Sequence, residues 1–228
     1  MPGPDDWAIV RLSLLVGGVA TAVTLPVAFA IAWALARGRF PGKVVLDAAA
    51  MLPLVVPPVV TGWLLLLAFG PAGPLGRVLA AVGGSVMFRW TGAAIAAGVM
   101  ALPLMVRAMR LSIEAVDRRL EEAARTLGAS RWRVFATVTL PLSLPGVLAG
   151  GVLGFARALG EFGATITFVS NVPGETQTLP LAIYSALQQP GGEAAVWRLA
   201  GLSVAISLVA LLASEALARR AGRGLRGV

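Results

Sequence analysis

An all-α bundle of about five membrane-spanning helices is the fold this sequence predicts, and three observations predict it. The 228 residues are 57% hydrophobic and 13% charged, with a mean hydropathy of +0.84, whereas soluble domains carry roughly 25% charged residues. Five apolar stretches are long enough to cross a bilayer, which takes about 20 residues of helix. The basic residues gather between these stretches instead of spreading over a surface. Residues 1–228 therefore read as a single membrane domain.

The first span covers 9–36, with Arg11 near one end, Pro26 inside, and Trp7 suited to the interfacial aromatic belt. The start, MPGPDDWAIVRLSLLVGG, has no basic residue before its apolar run and no small-residue cleavage site, so a retained span is expected rather than a removable leader. The second span, 48–69, contains Pro53, Pro57 and Pro58 and cannot be a regular helix throughout. Irregular backbone at membrane depth must be covered by protein or line a cavity. LPLVVPP is therefore either a packing kink or part of a pathway.

Residues 70–90, glycine-rich with Pro71 and Pro74, read as a loop with one short helix. The third span, 91–109, is rich in small residues, as tightly packed membrane helices are. The fourth, 142–169, carries Arg157 and Glu161 into the apolar region. Residues 171–195 read as a long polar connection, and the fifth span, 199–218, precedes the basic tail RRAGRGLRGV.

Net charge +8 and a pI near 11.6 raise nucleic acid as a partner, but the positions of the charges argue otherwise. Three basic residues lie in 37–43, seven in 107–133 and four from 219 on, so 14 of 19 fall on one side if five spans alternate. The positive-inside rule then puts the N-terminus outside and the C-terminus in the cytoplasm. Topology accounts for the charge, and no nucleic-acid partner is expected.

The cytoplasmic segment 117–135 is the most informative part of the chain. Asp117 suits an N-cap, residues 118–127 contain no helix breaker, and Gly128 stands where a glycine ends a helix. Leu120, Ala123, Ala124 and Leu127 recur at helical spacing. Arg118, Glu121, Glu122 and Arg125 fill the remainder, with Glu121 and Arg125 paired at i, i+4. Ser130 can cap a second short helix, RWRVF. Such a helix either lies on the lipid surface or inserts into a partner's groove.

EEAARTLGASRWRVFATVTLP resembles the cytoplasmic loop shared by permease subunits of ABC importers: Glu-Ala-Ala, three residues, Gly, and later an aliphatic residue and Leu-Pro. Here these are Glu122, Ala123, Ala124, Gly128, Val138, Leu140 and Pro141, with valine where isoleucine is more frequent. The resemblance implies a coupling helix that docks on a soluble ATPase subunit. The residues expected at that contact are Leu120, Glu122, Ala123, Ala124, Leu127, Gly128 and Arg131. It further implies a second permease copy, an extracytoplasmic oxyanion-binding protein and a prokaryotic inner-membrane location. ATP and Mg would be used by the partner, because no phosphate-binding loop ending in Gly-Lys-Ser/Thr occurs in this chain.

RGRFPGK, LPLVVPPVVTGWLLL, LPLMVRAMRLSIEAVD, SEALARR and the run from Ala156 through Glu193 are similar to the molybdate-type branch of these permeases. Molybdate is thus the implied substrate, with tungstate beside it and sulfate or thiosulfate as the alternative. Residues alone reach only the class: a dianion needs hydrogen-bond donors and no tight trap. Pathway or gate residues are sought among Pro57, Thr61, Gly160, Glu161, Phe162, Gly163, Thr165, Thr167 and Ser170. Arg157 and Glu161, four apart, are either functional or a structural clamp. Gly160 and Gly163 suit close helix approach or an unwound gate, and the outer loop 171–193 is either a receiving surface for the binding protein or a solvated connector.

Other classes fare worse. Without cysteine or histidine there is no thiol nucleophile, no Cys/His metal site and no imidazole base. Lys43, the sole lysine, lies in a loop, and Glu161 is the one carboxylate well inside a span, so an intramembrane enzyme lacks a catalytic pair. A passive anion channel would leave the coupling loop without a purpose. No catalytic residue, bound metal or bound cofactor is expected.

Overall fold

The computed structural model describes the backbone of residues 4–225 and the side chains of residues 5–210 and Leu212. Among the described residues there are helices and connections but no strand. Among the described residues, four helical stretches are long and apolar enough to cross a membrane, and a bent helix pair can supply a fifth crossing.

The centre of the bundle is built from α1 (Pro4–Arg37), α5 (Trp90–Ala115) and α8 (Leu140–Leu159). Val16 and Ala20 of α1 pack with Ala93, Ala96 and Ala97 of α5, and farther along Ala28, Ala32 and Leu35 pack with Ala101, Met105 and Met109. The two helices therefore run in the same direction. The opposing α8 presents Gly146, Gly150 and Gly154 one turn apart to Ser112, Met109 and Met105 of α5. A Cβ at Gly154 would stand 2.5 Å from the Met105 sulfur. In lipid, where burial of apolar area drives little, such close backbone approach supplies the packing.

The second crossing is broken, as its prolines require. Helices α2 (Lys43–Val55) and α3 (Pro58–Phe69) meet at a 115° bend around Val56 and Pro57. The stretch starts at 43 instead of 48. A short α4 (Pro74–Ala81) lies in the expected 70–90 connection, and the third span extends beyond 91–109 to Ala115.

Several expectations need correction. The fourth span, read as 142–169, is one continuous helical run from Arg131 to Leu159 that then breaks. It comprises α7 (Arg131–Val134), a π-helical turn (Phe135–Thr139) and α8. RWRVF is thus no separate helix but the start of this span. After Gly160–Phe162 a short α9 (Gly163–Val169) departs on its own.

Residues 171–195 are not simply a polar connection either. They contain α10 (Leu179–Leu187), whose Leu179, Leu181 and Ala182 are buried. The Leu179 amide donates to Ser13 Oγ of α1 at 2.8 Å, so a neighbouring helix satisfies its N-terminus. The last span begins at Glu193, before the expected 199, as α11 (Glu193–Leu225). The side chains of the basic tail and of SEALARR lie outside the described residues.

The bundle has two distinct ends. Asp6 and Arg198, 3.3 Å apart, join α1 to α11 at one end. The C-termini of α1 and α5 and the charged segment share the other.

Candidate functional site

At that second end lies α6 (Arg118–Thr126), capped as its sequence demands. Asp117 Oδ1 accepts the Arg119 amide at 2.9 Å, and Ser130 Oγ accepts the Arg133 amide at 3.3 Å. Gly128 has φ 85°, a left-handed conformation that glycine adopts without a side-chain clash. The apolar face is turned away from the bundle: Leu120 is 50% and Leu127 88% exposed, and Glu122, Ala123 and Arg131 are exposed as well, with Ala124 half-buried. All seven expected docking residues thus lie along one outward segment.

The expected Glu121–Arg125 pair does not form. Glu121 turns inward, is 9% exposed, and meets Arg37 of α1 at 3.0 Å. Thr139 Oγ1 in the π turn donates to the same carboxylate oxygen at 2.7 Å, and Arg37 Nη2 also donates to the Val116 carbonyl at 3.1 Å. A half-buried guanidinium and a hydroxyl hold this carboxylate better than an exposed arginine one turn along, where an i, i+4 pair gives only a few tenths of a kcal/mol. One carboxylate therefore ties the ends of α1 and α5 to α6 and to the base of the fourth span. The π turn is gripped from its other side by rings: Phe135 lies 4.8 Å from Trp33 and 6.1 Å from Phe29 between centroids.

The candidate pathway residues fall near a second feature, where the two broken spans meet. The start of α9 packs on the start of α3. A Cβ on Gly62 would lie 2.5 Å from the Ala164 carbonyl oxygen, and one on Gly163 would lie 2.9 Å from Pro58 Cβ. Phe69 and Phe168 continue the contact at 5.8 Å. Pro57 forms the bend itself, and Thr61 is buried beside Gly62 on α3.

Glu161 is buried at the break. Its Oε2 pairs with Arg157 at 2.7 Å and its Oε1 accepts the Ala164 amide at 2.8 Å. Arg157 and Glu161 thus pair at the end of α8, and the same carboxylate also holds an amide at the start of α9. A paired and hydrogen-bonded carboxylate can persist in a poorly solvated place, whereas a lone one is costly.

Gly163 makes the close approach expected of it, but Gly160 has no close neighbour and serves as the end of α8. Thr165 is buried in α9, and Thr167 Oγ1 donates to the Gly163 carbonyl at 2.9 Å. Phe162 stacks obliquely on Tyr184 of α10 at 5.1 Å. Ser170, with φ 62°, ends α9 and is held through its carbonyl by Thr176 Oγ1 at 2.9 Å, away from the α3 contact.

Arg37, Glu121, Thr139 and Gly62 were not among the expected site residues. Gly62 carried a legible signal, a lone glycine directly after Thr61 in a proline-broken span. The Glu121 contacts had none, because the partners lie on other elements.

A helical membrane bundle with broken spans and an outward charged helix between two crossings has the architecture of a transport permease. The chain belongs to the family described as binding-protein-dependent transport system inner membrane component, which it matches over residues 25–223, and it is a multi-pass membrane protein. It is 56% identical over 223 residues to the molybdenum transport system permease protein ModB of Escherichia coli (strain K12), covering 96% of this chain and 97% of that one. To the sulfate transport system permease protein CysT of the same organism it is 37% identical over 224 residues, covering 98% and 80%. The structure is similar to a chain of a bacterial ABC transporter involved in the import of the acidic polysaccharide alginate. The TM-score is 0.77 at 18% identity, over 96% of this chain and 80% of that one, a likeness of fold.

Proposed function

We propose that this chain forms one half of the membrane pathway of an ATP-driven molybdate importer, with tungstate as a second substrate. It pairs with a second copy, a soluble ATPase and an extracytoplasmic binding protein. The observation that carries the coupling is the outward α6 with Leu120 and Leu127 uncovered beside an inward Glu121. The substrate rests on relatedness: identity to the molybdenum permease well exceeds that to the sulfate permease.

The charged end faces the cytoplasm, and the ATPase meets Leu120, Glu122, Ala123, Ala124, Leu127, Gly128 and Arg131. Movement of α6 passes through Glu121 to Arg37 and, through Thr139, to the fourth span. That span ends at Gly160 beside the α3–α9 contact, so displacement at its base reaches the junction of the broken spans. With Arg157 compensating Glu161, the junction presents no uncompensated carboxylate to repel a dianion. Pro57, Thr61, Gly163, Thr165 and Thr167 form or flank the gate, and segment 171–193 contributes to the binding-protein surface.

The natural chain has no cysteine, so Glu122→Cys gives a single labelling site. A membrane-impermeant maleimide is expected to modify it in inside-out vesicles and not in right-side-out ones, with at least severalfold protection by the bound ATPase. Labelling from the outside would overturn the orientation, and labelling indifferent to the ATPase would overturn the docking role.

A further inference from the structure

Between α1, α6 and the base of the fourth span lies an open cavity of about 1110 Å³ that the coupling role leaves unexplained. Five arginines line it, Arg37, Arg39, Arg118, Arg125 and Arg131, against two carboxylates, Glu121 and Glu122, the first of which is already paired with Arg37. The opposite character belongs to its inner wall, made by Phe29, Ala30, Trp33 and Phe135. At 1.5 Å per residue, Phe29 and Trp33 sit about 12 and 6 Å along α1 from Arg37, toward the interior of the bilayer.

We infer that this cavity binds an anionic phospholipid, with its phosphate among the arginines and its upper acyl chain against Phe29 and Trp33. A free oxyanion would use the arginines but has no use for an aromatic wall. A soluble partner could reach the rim but not a wall at membrane depth. Basic pockets between membrane helices on the cytoplasmic side suit anionic headgroups, and each arginine near an anionic surface contributes about fivefold in affinity. Because Glu121 and the π turn form one side of the cavity, an occupying lipid braces the segment through which α6 moves. The inference does not depend on which anion is transported.

The test is native mass spectrometry of the assembled transporter with palmitoyl-oleoyl phosphatidylglycerol or the matching phosphatidylcholine. Arg39→Gln/Trp33→Leu serves as the variant, chosen because neither position belongs to the docking face. Wild type is expected to retain phosphatidylglycerol at least tenfold more strongly than phosphatidylcholine. The variant should lose on the order of tenfold of that affinity while its assembly with the ATPase is preserved. A second variant, Arg39→Gln alone, should lose about fivefold, which separates loss of a headgroup contact from loss of fold. Equal retention of the two lipids, or unchanged retention by both variants, would overturn the inference. So would displacement of the lipid by millimolar inorganic phosphate or molybdate, which would mark a free-anion site.

Discussion

Glu121→Ala is expected to destabilise the chain by about 3–5 kcal/mol, the range for stripping one partner from a buried ion pair. Arg37 and Glu121 side chains are each only 12% exposed. The substitution leaves the largely covered Arg37 guanidinium without its carboxylate partner and removes the acceptor of the Thr139 hydroxyl. It should also lower substrate uptake per ATP hydrolysed, since α6 loses its side-chain tie to α1 and to the π turn. Stability and coupling can be separated. Replacing both partners by leucine removes the buried charges together, a change that is often neutral or stabilising. Arg37→Leu/Glu121→Leu should thus recover the thermal transition in detergent while uptake per ATP stays low. If Glu121→Ala keeps both the transition temperature and the uptake ratio of the natural chain, the carboxylate is not the link assigned to it.

Gly62→Val is the second substitution with a large expected effect. Its Cβ alone would stand 2.5 Å from the Ala164 carbonyl oxygen and 2.9 Å from both Ala164 Cα and Thr167 Cβ. Two of these are backbone atoms that cannot rotate away, so α3 and α9 must separate. Overpacking of this kind costs about 1–3 kcal/mol, occasionally more. Because the strain falls on the contact between the two broken spans, uptake should fall severalfold or more. Gly18→Ala is the control, since a Cβ there meets nothing within 4 Å. A Gly62→Val chain as stable and as active as Gly18→Ala would mean that the α3–α9 contact is dispensable.

The parts of this structure legible in the sequence are those governed by local chemistry. Pro53, Pro57 and Pro58 announced a broken second span because proline removes a donor and crowds the preceding turn. Asp117, Gly128 and Ser130 announced the ends of α6 and the start of the next helix because caps are set by one or two residues. Arg157 and Glu161 lie one turn apart, close enough to pair, and they do, whereas Glu121 at the same spacing from Arg125 turns to Arg37 instead.

What escaped depends on tertiary partners. Gly160–Phe162 interrupts a run that remains apolar on both sides, so hydropathy carries it through the break and merges α8 with α9. LPLAIYSAL is too short to cross a bilayer and is flanked by polar turns; one face of it is buried because Leu179 and Ala182 pack with Val10 of α1 and Leu199 of α11, while Ser13 of α1 accepts its first amide. Glu121 has the same local signature as Glu122. Only the approach of Arg37 and Thr139 decides that one points inward and its neighbour outward.

The most direct measurement is ATP-dependent anion uptake by the chain reconstituted in liposomes with its ATPase and a loaded binding protein, offering molybdate, tungstate and sulfate in parallel. ATP-driven accumulation of molybdate and tungstate is expected, with little or none of sulfate and no flux without ATP. Accumulation of sulfate in preference to molybdate would contradict the substrate assignment, and anion flux without ATP would contradict the coupled permease itself.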